Sequence, residues 1–450
     1  MKHAPAWSSL GLWLVIACGA QPEARDGAPP FSGAAPEPTT SDQPAVVPVE
    51  GGSGGTGGSE PPRIDESQDP DLPVDVGGSP PGDDGGAAEN LPGGTTEPEP
   101  PPPGTLREAA DGSGRLIGVA LATNRLFNNE AYAGAAQEFN YVTHENEMKW
   151  NAVEPQPGQF NFSNADRTIA FAEENGMRIK GHTLVWHSQL PGWARQLDTR
   201  DAALEALERH ITTVVSRYRG RVVAWDVVNE AFTDGGNPRL RGSDPADASD
   251  PNNDNGNNGL DSVFRRLIGE DYIDRAFRAA NAADPDALLI YNDYNTEGMN
   301  AKSNAVYEMV QGMLERGVPI HAVGLQMHIN AAADNLRSAE DVAANIRRLT
   351  ALGLQVQISE LDVSLCGGQP IEQRRELQRA RLEGIVGACT AEPLCTAITV
   401  WGVGDDDSWR DAECNGGRSE PLLFDATYQR KLAYEGVFDA LLAAPAAAVP

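Results

Sequence analysis

Trp225-Asp226-Val227-Val228-Asn229-Glu230 and Val356-Gln357-Ile358-Ser359-Glu360-Leu361-Asp362 are the two stretches that decide how this chain is read. Each is a strand-like run, rich in β-branched residues, that arrives at a glutamate. A strand terminus is a rigid mount, and a carboxyl there points out of the barrel or sheet that the strand helps to build. The two glutamates lie 130 residues apart in the chain and can converge on one bond if their strands share a barrel. A convergent pair of carboxyls is the equipment for cleaving a glycosidic bond.

Working outward, apolar strand-like runs alternate with amphipathic stretches through residues 105–450. Eight candidate strands are expected: Leu116–Leu121, Tyr141–Glu145, Ile179–Trp186, Val222–Asn229, Ala287–Asn292, Ala322–Met327, Leu354–Ser359 and Ala397–Trp401. Helices are expected over Ser163–Asn175, Asp201–Tyr218, Leu260–Ala283, Ala301–Arg316, Ala339–Leu352 and Ile371–Cys389. Gly176, Gly317 and Gly353 follow three of these, where helix C-caps belong. Such alternation implies parallel strands with right-handed crossovers, and eight units predict an α/β fold, a (β/α)8 TIM barrel. A doubly wound open sheet is the rival, but no glycine-rich phosphate loop follows the first strand. Chemistry in a TIM barrel sits at the C-terminal strand ends. Polar and aromatic outliers gather there: Glu145 to Trp150, Trp186 to Gln189, Asn229-Glu230, Gln326 to His328, Glu360 and Trp401.

The first part of the chain is different material. Residues 1–18 carry Lys2 and His3, an apolar stretch from Leu10 to Ala17, then Cys18. They read as a signal peptide of lipoprotein type with Cys18 as the lipidation site, or as an ordinary secretory signal. Residues 19–104 hold 16 acidic and 2 basic side chains, glycine and proline tracts, and one aromatic residue, Phe31. That composition cannot bury enough apolar surface to offset chain entropy, which predicts a disordered linker. The expected locale is therefore outside the cytoplasm, held by a lipid at a bacterial surface or else secreted. A net charge of −30 argues against nucleic acid as a partner and does not conflict with a neutral polysaccharide. Beyond Cys18 four cysteines remain, and the close spacing of Cys389 and Cys395 favours a local disulfide, leaving Cys366 with Cys414. A zinc site is the weaker reading, because neither a C-x-x-C pair nor neighbouring histidines occur there.

Seven phrases, in order, resemble the family-10 glycoside hydrolases, whose typical activity is endo-1,4-β-xylanase. They are Glu145 to Trp150, Gly181 to Pro191, Trp225 to Glu230, Tyr291 to Asn295, Gly324 to His328, Ile358 to Asp362, and Trp401-Gly402 with Ser408-Trp409. Arg430 and Leu432 stand where prolines are common, a departure in a distal loop. The resemblance implies an endo-acting, retaining enzyme that cuts internal β-1,4-xylosidic bonds of xylan by double displacement. Glu230 would be the acid/base and Glu360 the nucleophile. Two carboxyls about 5–5.5 Å apart do not both ionise easily, so their pKa values must separate.

The same resemblance implies the rest of the site. His328 would touch the nucleophile with Asp362 supporting it from behind. Gln326 stands two residues before His328 and shares its side of the strand. Asn229 would bond the sugar 2-hydroxyl. Glu145, Asn146, Lys149, His182 and Gln189 would bond sugar on the non-reducing side. Trp186, Trp401 and Trp409 offer flat faces and indole N–H donors to pyranose rings, and Tyr294 a platform on the leaving-group side. Glu147, Trp225 and Asp226 would serve the barrel interior and the layer behind the site. No metal or cofactor is implied. The expected partner is xylan or a xylo-oligosaccharide, met by a monomer that touches membrane only through its lipid. Asp234 to Gly259 is the main departure from the pattern; its clustered Asp and Asn fit a solvated loop better than a calcium site.

Overall fold

The computed structural model describes residues 104–249, 259–332, 338–410, 413–414 and 417–445. Cys18, the signal segment, the linker up to residue 103, and residues 250–258 of the long loop lie outside the described residues.

Among the described residues there are nine strands: β1 (Leu116–Leu121), β2 (Tyr141–His144), β3 (Arg178–Trp186), β4 (Ala224–Asn229), β5 (Leu288–Asp293), β6 (Ala322–Leu325), β7 (His328–Asn330), β8 (Gln355–Ser364) and β9 (Cys395–Val400). All pairings among them are parallel. The order runs from β6 through β1 to β9 and β8, and a further β6–β8 pairing closes the ring into an eight-stranded barrel. The short β7 resumes the path of β6 above the rim and pairs only with β8. A helix follows each stave, as right-handed crossovers require.

Local chemistry explains the helix ends. Thr199, Asn300 and Ser338 cap Arg200–Arg217, Ala301–Glu315 and Ala339–Thr350 through their side-chain oxygens. Gly176, Gly317 and Gly353 take φ of 61°, 61° and 84° just past three helices. The expected helix Leu260–Ala283 is instead two, Val263–Ile268 and Tyr272–Ala283. Gly269 divides them with φ 104° and ψ −161°, a conformation essentially reserved to glycine. Beyond the expected set, Leu106–Ser113, Glu130–Ala136 and Leu432–Leu442 are also helical.

The main core lies between sheet and helices, where Trp225 is fully buried. Gly181 lies beneath that indole, and a β-carbon there would overlap it. The barrel interior holds a small separate apolar set, Ala224, Ile290 and Ala322, with buried polar groups such as Tyr141, Lys180, Asp226 and Asn292. Two disulfides are formed, Cys366–Cys414 and Cys389–Cys395, so the zinc reading falls. The first ties the segment after β8 to the loop that carries Trp409 and Arg410.

Candidate active site

A cleft of about 490 Å³ opens at the C-terminal strand ends. Its walls are Glu145, Asn146, Lys149, His182, Trp186, Gln189, Asn229, Glu230, Tyr294, Gln326, His328, Glu360, Trp401 and Trp409, joined by Arg410 and Glu413. Every residue named above as catalytic or sugar-contacting thus reaches one cavity. Asp362 does not line it and stands behind His328.

The backbone is bent to achieve this convergence. Among the described residues, four of the six non-glycine positions with positive φ are in or beside the cleft: Gln189, Glu230, Asn295 and Met327, at 47°, 55°, 55° and 64°. Such residues cost about 1 kcal/mol or more each and persist where their surroundings over-determine them. The turn at Glu230 lets Asn229 and Glu230, neighbours in sequence, both face the cleft. Met327, also left-handed, interrupts the extended path between Gln326 and His328, and β6 stops at Leu325 rather than at Met327 as expected. In β8 a register shift against β9 between Ile358 and Leu361 brings Ser359 and Glu360 to the same side. Glu360 therefore sits within a strand that continues to Ser364, not at its end.

Glu230 is buried and accepts hydrogen bonds from Trp186 Nε1 at 2.8 Å, Asn229 Nδ2 at 3.1 Å and Gln326 Nε2 at 3.1 Å. Burial raises its pKa, the negative charges of Asp293 and Glu360 add to this, and the donors from Gln326 and Trp186 only partly oppose it. The result is a carboxyl pushed up to about 7.

Glu360 is equally buried, and burial alone would raise it too. The His328 hydrogen bond and the basic groups His182, His328 and Lys180 outweigh burial and hold it below the ordinary carboxylate value. Its Oε1 accepts from Asn292 Nδ2 at 2.7 Å, and its Oε2 lies 3.2 Å from His328 Nε2. His328 Nδ1 is 2.8 Å from Asp362 Oδ2. Burial disfavours a charged imidazole, but Asp362 and Glu360 prevail and push His328 up to about 10. It is a cation that donates from both nitrogens. Asp362 is held in turn by Arg410 Nη1 at 2.5 Å and Trp409 Nε1 at 3.2 Å.

One amide links the two carboxyls. Asn292 Nδ2 also donates to Asn229 Oδ1 at 2.8 Å, and Asn292 Oδ1 accepts from Ser359 Oγ at 2.6 Å. Asn229 carries the link on to Glu230. Gly324 makes this possible, since a β-carbon there would overlap Asn292 Oδ1.

The sequence model of glycosyl hydrolase family 10 matches residues 105–440. The chain belongs to glycosyl hydrolase family 10. Endo-1,4-beta-xylanase B of Thermotoga neapolitana is 39% identical over 322 residues, covering 71% of this chain and 86% of that protein. The crystal structure of native xylanase 10B from Thermotoga maritima superposes with a TM-score of 0.67 at 40% identity, covering 75% of this chain and 98% of that one. Xylanase 10B from Thermotoga petrophila, solved with xylobiose, gives 0.66 at 40% identity over 75% of this chain and 97% of its own.

Several parts of this family 10 site were not singled out beforehand. Asn292 and Asp293 stood inside a quoted phrase, as a polar pair ending an apolar strand, and that was the available signal. Asp293 pairs with Lys302 Nζ at 2.9 Å and accepts from Tyr291 Oη at 2.6 Å. Arg241 donates to the Glu230 carbonyl at 3.0 Å and to Tyr294 Oη at 3.0 Å, and Arg410 braces Asp362; no local pattern marks either. The aromatic residues are more committed than flat sugar platforms need be. Trp186 gives its N–H to Glu230 and Trp409 gives its own to Asp362, although Trp409 remains 55% exposed. Lys302 Nζ stands 3.5 Å from the centre of the Tyr294 ring and occupies one face of it. Lys149 donates to Asn146 Oδ1 at 3.0 Å, and burial lowers its pKa against the opposing charges of Glu360, Glu145 and Glu230. Among the described residues no His, Cys, Asp and Glu group is arranged to hold a metal ion. Within the long loop Asp234 bonds Tyr294, Asn295 and Lys302, and Asp247 is held by Arg239.

Proposed function

We propose that this family 10 enzyme is an endo-acting, retaining β-1,4-xylanase in which Glu230 is the acid/base and Glu360 the nucleophile. The observation that carries the reading is a single cleft holding one buried carboxyl raised to about 7 and another held low. Glu230 keeps a proton to give to the departing glycosidic oxygen. Glu360 stays ionised to attack the anomeric carbon. Once the glycosyl-enzyme forms, Glu230 has lost its proton and takes one from the attacking water. Asn292 and His328 hold the nucleophile oxygens. The open trough and the named relatives support a xylan chain as substrate. Export on a lipid carried by Cys18, with residues 19–104 as a spacer, completes the proposal.

The experiment is hydrolysis of xylan followed by proton NMR and product sizing. The expected result is β-anomer released first, with internal cuts giving short oligosaccharides. First appearance of the α-anomer, or faster hydrolysis of carboxymethylcellulose than of xylan, would overturn the mechanism or the substrate respectively. Anchoring is tested separately by labelled fatty acid incorporation, which should vanish in Cys18→Ala.

A further inference from the structure

Arg241 is a buried side chain on the loop after β4 that the mechanism above does not use. Its guanidinium reaches three separate segments. Nε donates to the Glu230 carbonyl at 3.0 Å, Nη2 donates to Tyr294 Oη at 3.0 Å, and Nη1 donates to the Gly259 carbonyl. These acceptors are two carbonyls and a phenol whose pKa burial raises. What the side chain supplies to them is direction rather than charge pairing. A planar fork of donors fixes several acceptors in one geometry, which a lysine ammonium does not.

The turn that carries the acid/base depends on support from outside. Glu230 takes φ 55°, a conformation that persists only where its surroundings impose it. Its N–H donates to the Asn292 carbonyl at 2.8 Å, and the next N–H, of Ala231, donates to Tyr291 Oη at 3.2 Å. Both carbonyls of the turn are held by Arg241. Its Nε takes that of Glu230, and its backbone N–H takes that of Ala231 at 2.9 Å. Trp186, Asn229 and Gln326 grip the carboxyl end, so Arg241 is the anchor at the backbone end.

The other arm of the fork reaches the cleft wall. Tyr294 lines the cleft, and its Oη donates to Asp234 Oδ2 at 2.5 Å. Asp234 is held in turn by Asn295 and Lys302. One planar group therefore spans the proton donor and the wall read as the leaving-group side. Proton delivery needs the heavy atoms within about 2.6–3.2 Å, so a small shift of the turn is enough to interrupt it. Glu360 is held from other elements, by Asn292 on β5 and His328 on β7.

We propose that Arg241 is a positioning residue for proton donation: by gripping the Glu230 carbonyl and Tyr294 together, it fixes the acid/base turn against the wall beside the departing sugar. The proposal rests on Glu230 being the acid of a retaining glycosidase. It adds that the acid's aim, and not the nucleophile's, depends on a side chain outside the cleft.

The test compares kcat/KM on two aryl β-xylobiosides. Phenol needs a proton from Glu230 as its C–O bond breaks, whereas 2,4-dinitrophenolate departs without one. General acid catalysis is worth about 10²–10⁴-fold. Arg241→Met should therefore lose about 100-fold on the phenyl substrate and less than about threefold on the dinitrophenyl substrate. Arg241→Lys, which keeps a donor but not the fork, should show the same split at about tenfold. Circular dichroism establishes which variants fold. Equal losses on both substrates, or no loss on either, in a folded variant overturn the proposal. If Arg241→Met does not fold, Arg241→Lys decides on the same criterion. Failure of both to fold also overturns it, by making Arg241 a requirement of the fold. Glu230→Ala is the control and should show the split at its largest. A Glu230→Ala protein as active as wild type on the phenyl substrate would instead overturn the assignment of the acid.

Discussion

The buried carboxyls of Glu230 and Glu360 differ only in company. Glu230 is surrounded by uncharged donors and neighbouring anions, whereas Glu360 has a cationic histidine against it. The pH dependence follows with its sign. Protonated Glu230 is required, so kcat/KM should fall as pH rises through about 7. Ionised Glu360 is required, and because its pKa is lowered the acid limb should lie below the ordinary glutamate value. A pH profile on an aryl xylobioside checks both limbs, and Glu230→Ala should erase the basic one. Asn292 is the second residue-scale target. Its loss removes a hydrogen bond to a charged group, worth about 1.5–3 kcal/mol. Asn292→Ala should therefore lower kcat roughly 10- to 100-fold, and an unchanged kcat would show that the bridge does not matter to the nucleophile.

At the scale of elements, strand and helix types were legible wherever a run was long and periodic. The barrel staves from β1 to β9 fall close to their expected places, and so do the helices around Ala206, Val306 and Ile346. What the local pattern missed has two physical sources. Gly269 lies inside what reads as one long amphipathic stretch, Leu260–Ala283, but its backbone conformation divides the stretch into two helices. Gly269→Ala should cost about 1–3 kcal/mol, because alanine cannot take that conformation without strain; urea unfolding measures it. The second source is closure. Asn292 meets Glu360 only because β5, β6 and β8 become neighbours, and Gly324 clears its path. No window of sequence contains that relation. The glutamates themselves were readable because each lies in a distinctive strand-like phrase, although Glu360 proved to be inside its strand rather than at the end, whereas Arg241 and Arg410 act from loops where no period operates.

The whole molecule is held by a buried shell between sheet and helices, to which the two disulfides contribute unequally. Chain-entropy arguments scale with the loop closed, here a separation of 48 residues for Cys366–Cys414 and 6 for Cys389–Cys395. On that model the first is worth about 4 kcal/mol and the second about 2 kcal/mol. Paired Cys→Ser variants compared by denaturant midpoint should keep that order, and equal losses would show that strain or residual structure dominates.

The longer bridge has a further consequence through what it restrains. It fastens the loop bearing Trp409 and Arg410, and both hold Asp362, which steadies His328 against Glu360. Material produced in a reducing cytosol would keep its barrel and remain soluble, yet one wall of the groove would be slack. Yield is thus a poor guide to quality for such preparations; turnover per mole, before and after air oxidation, is the figure that reveals whether the clasp has closed.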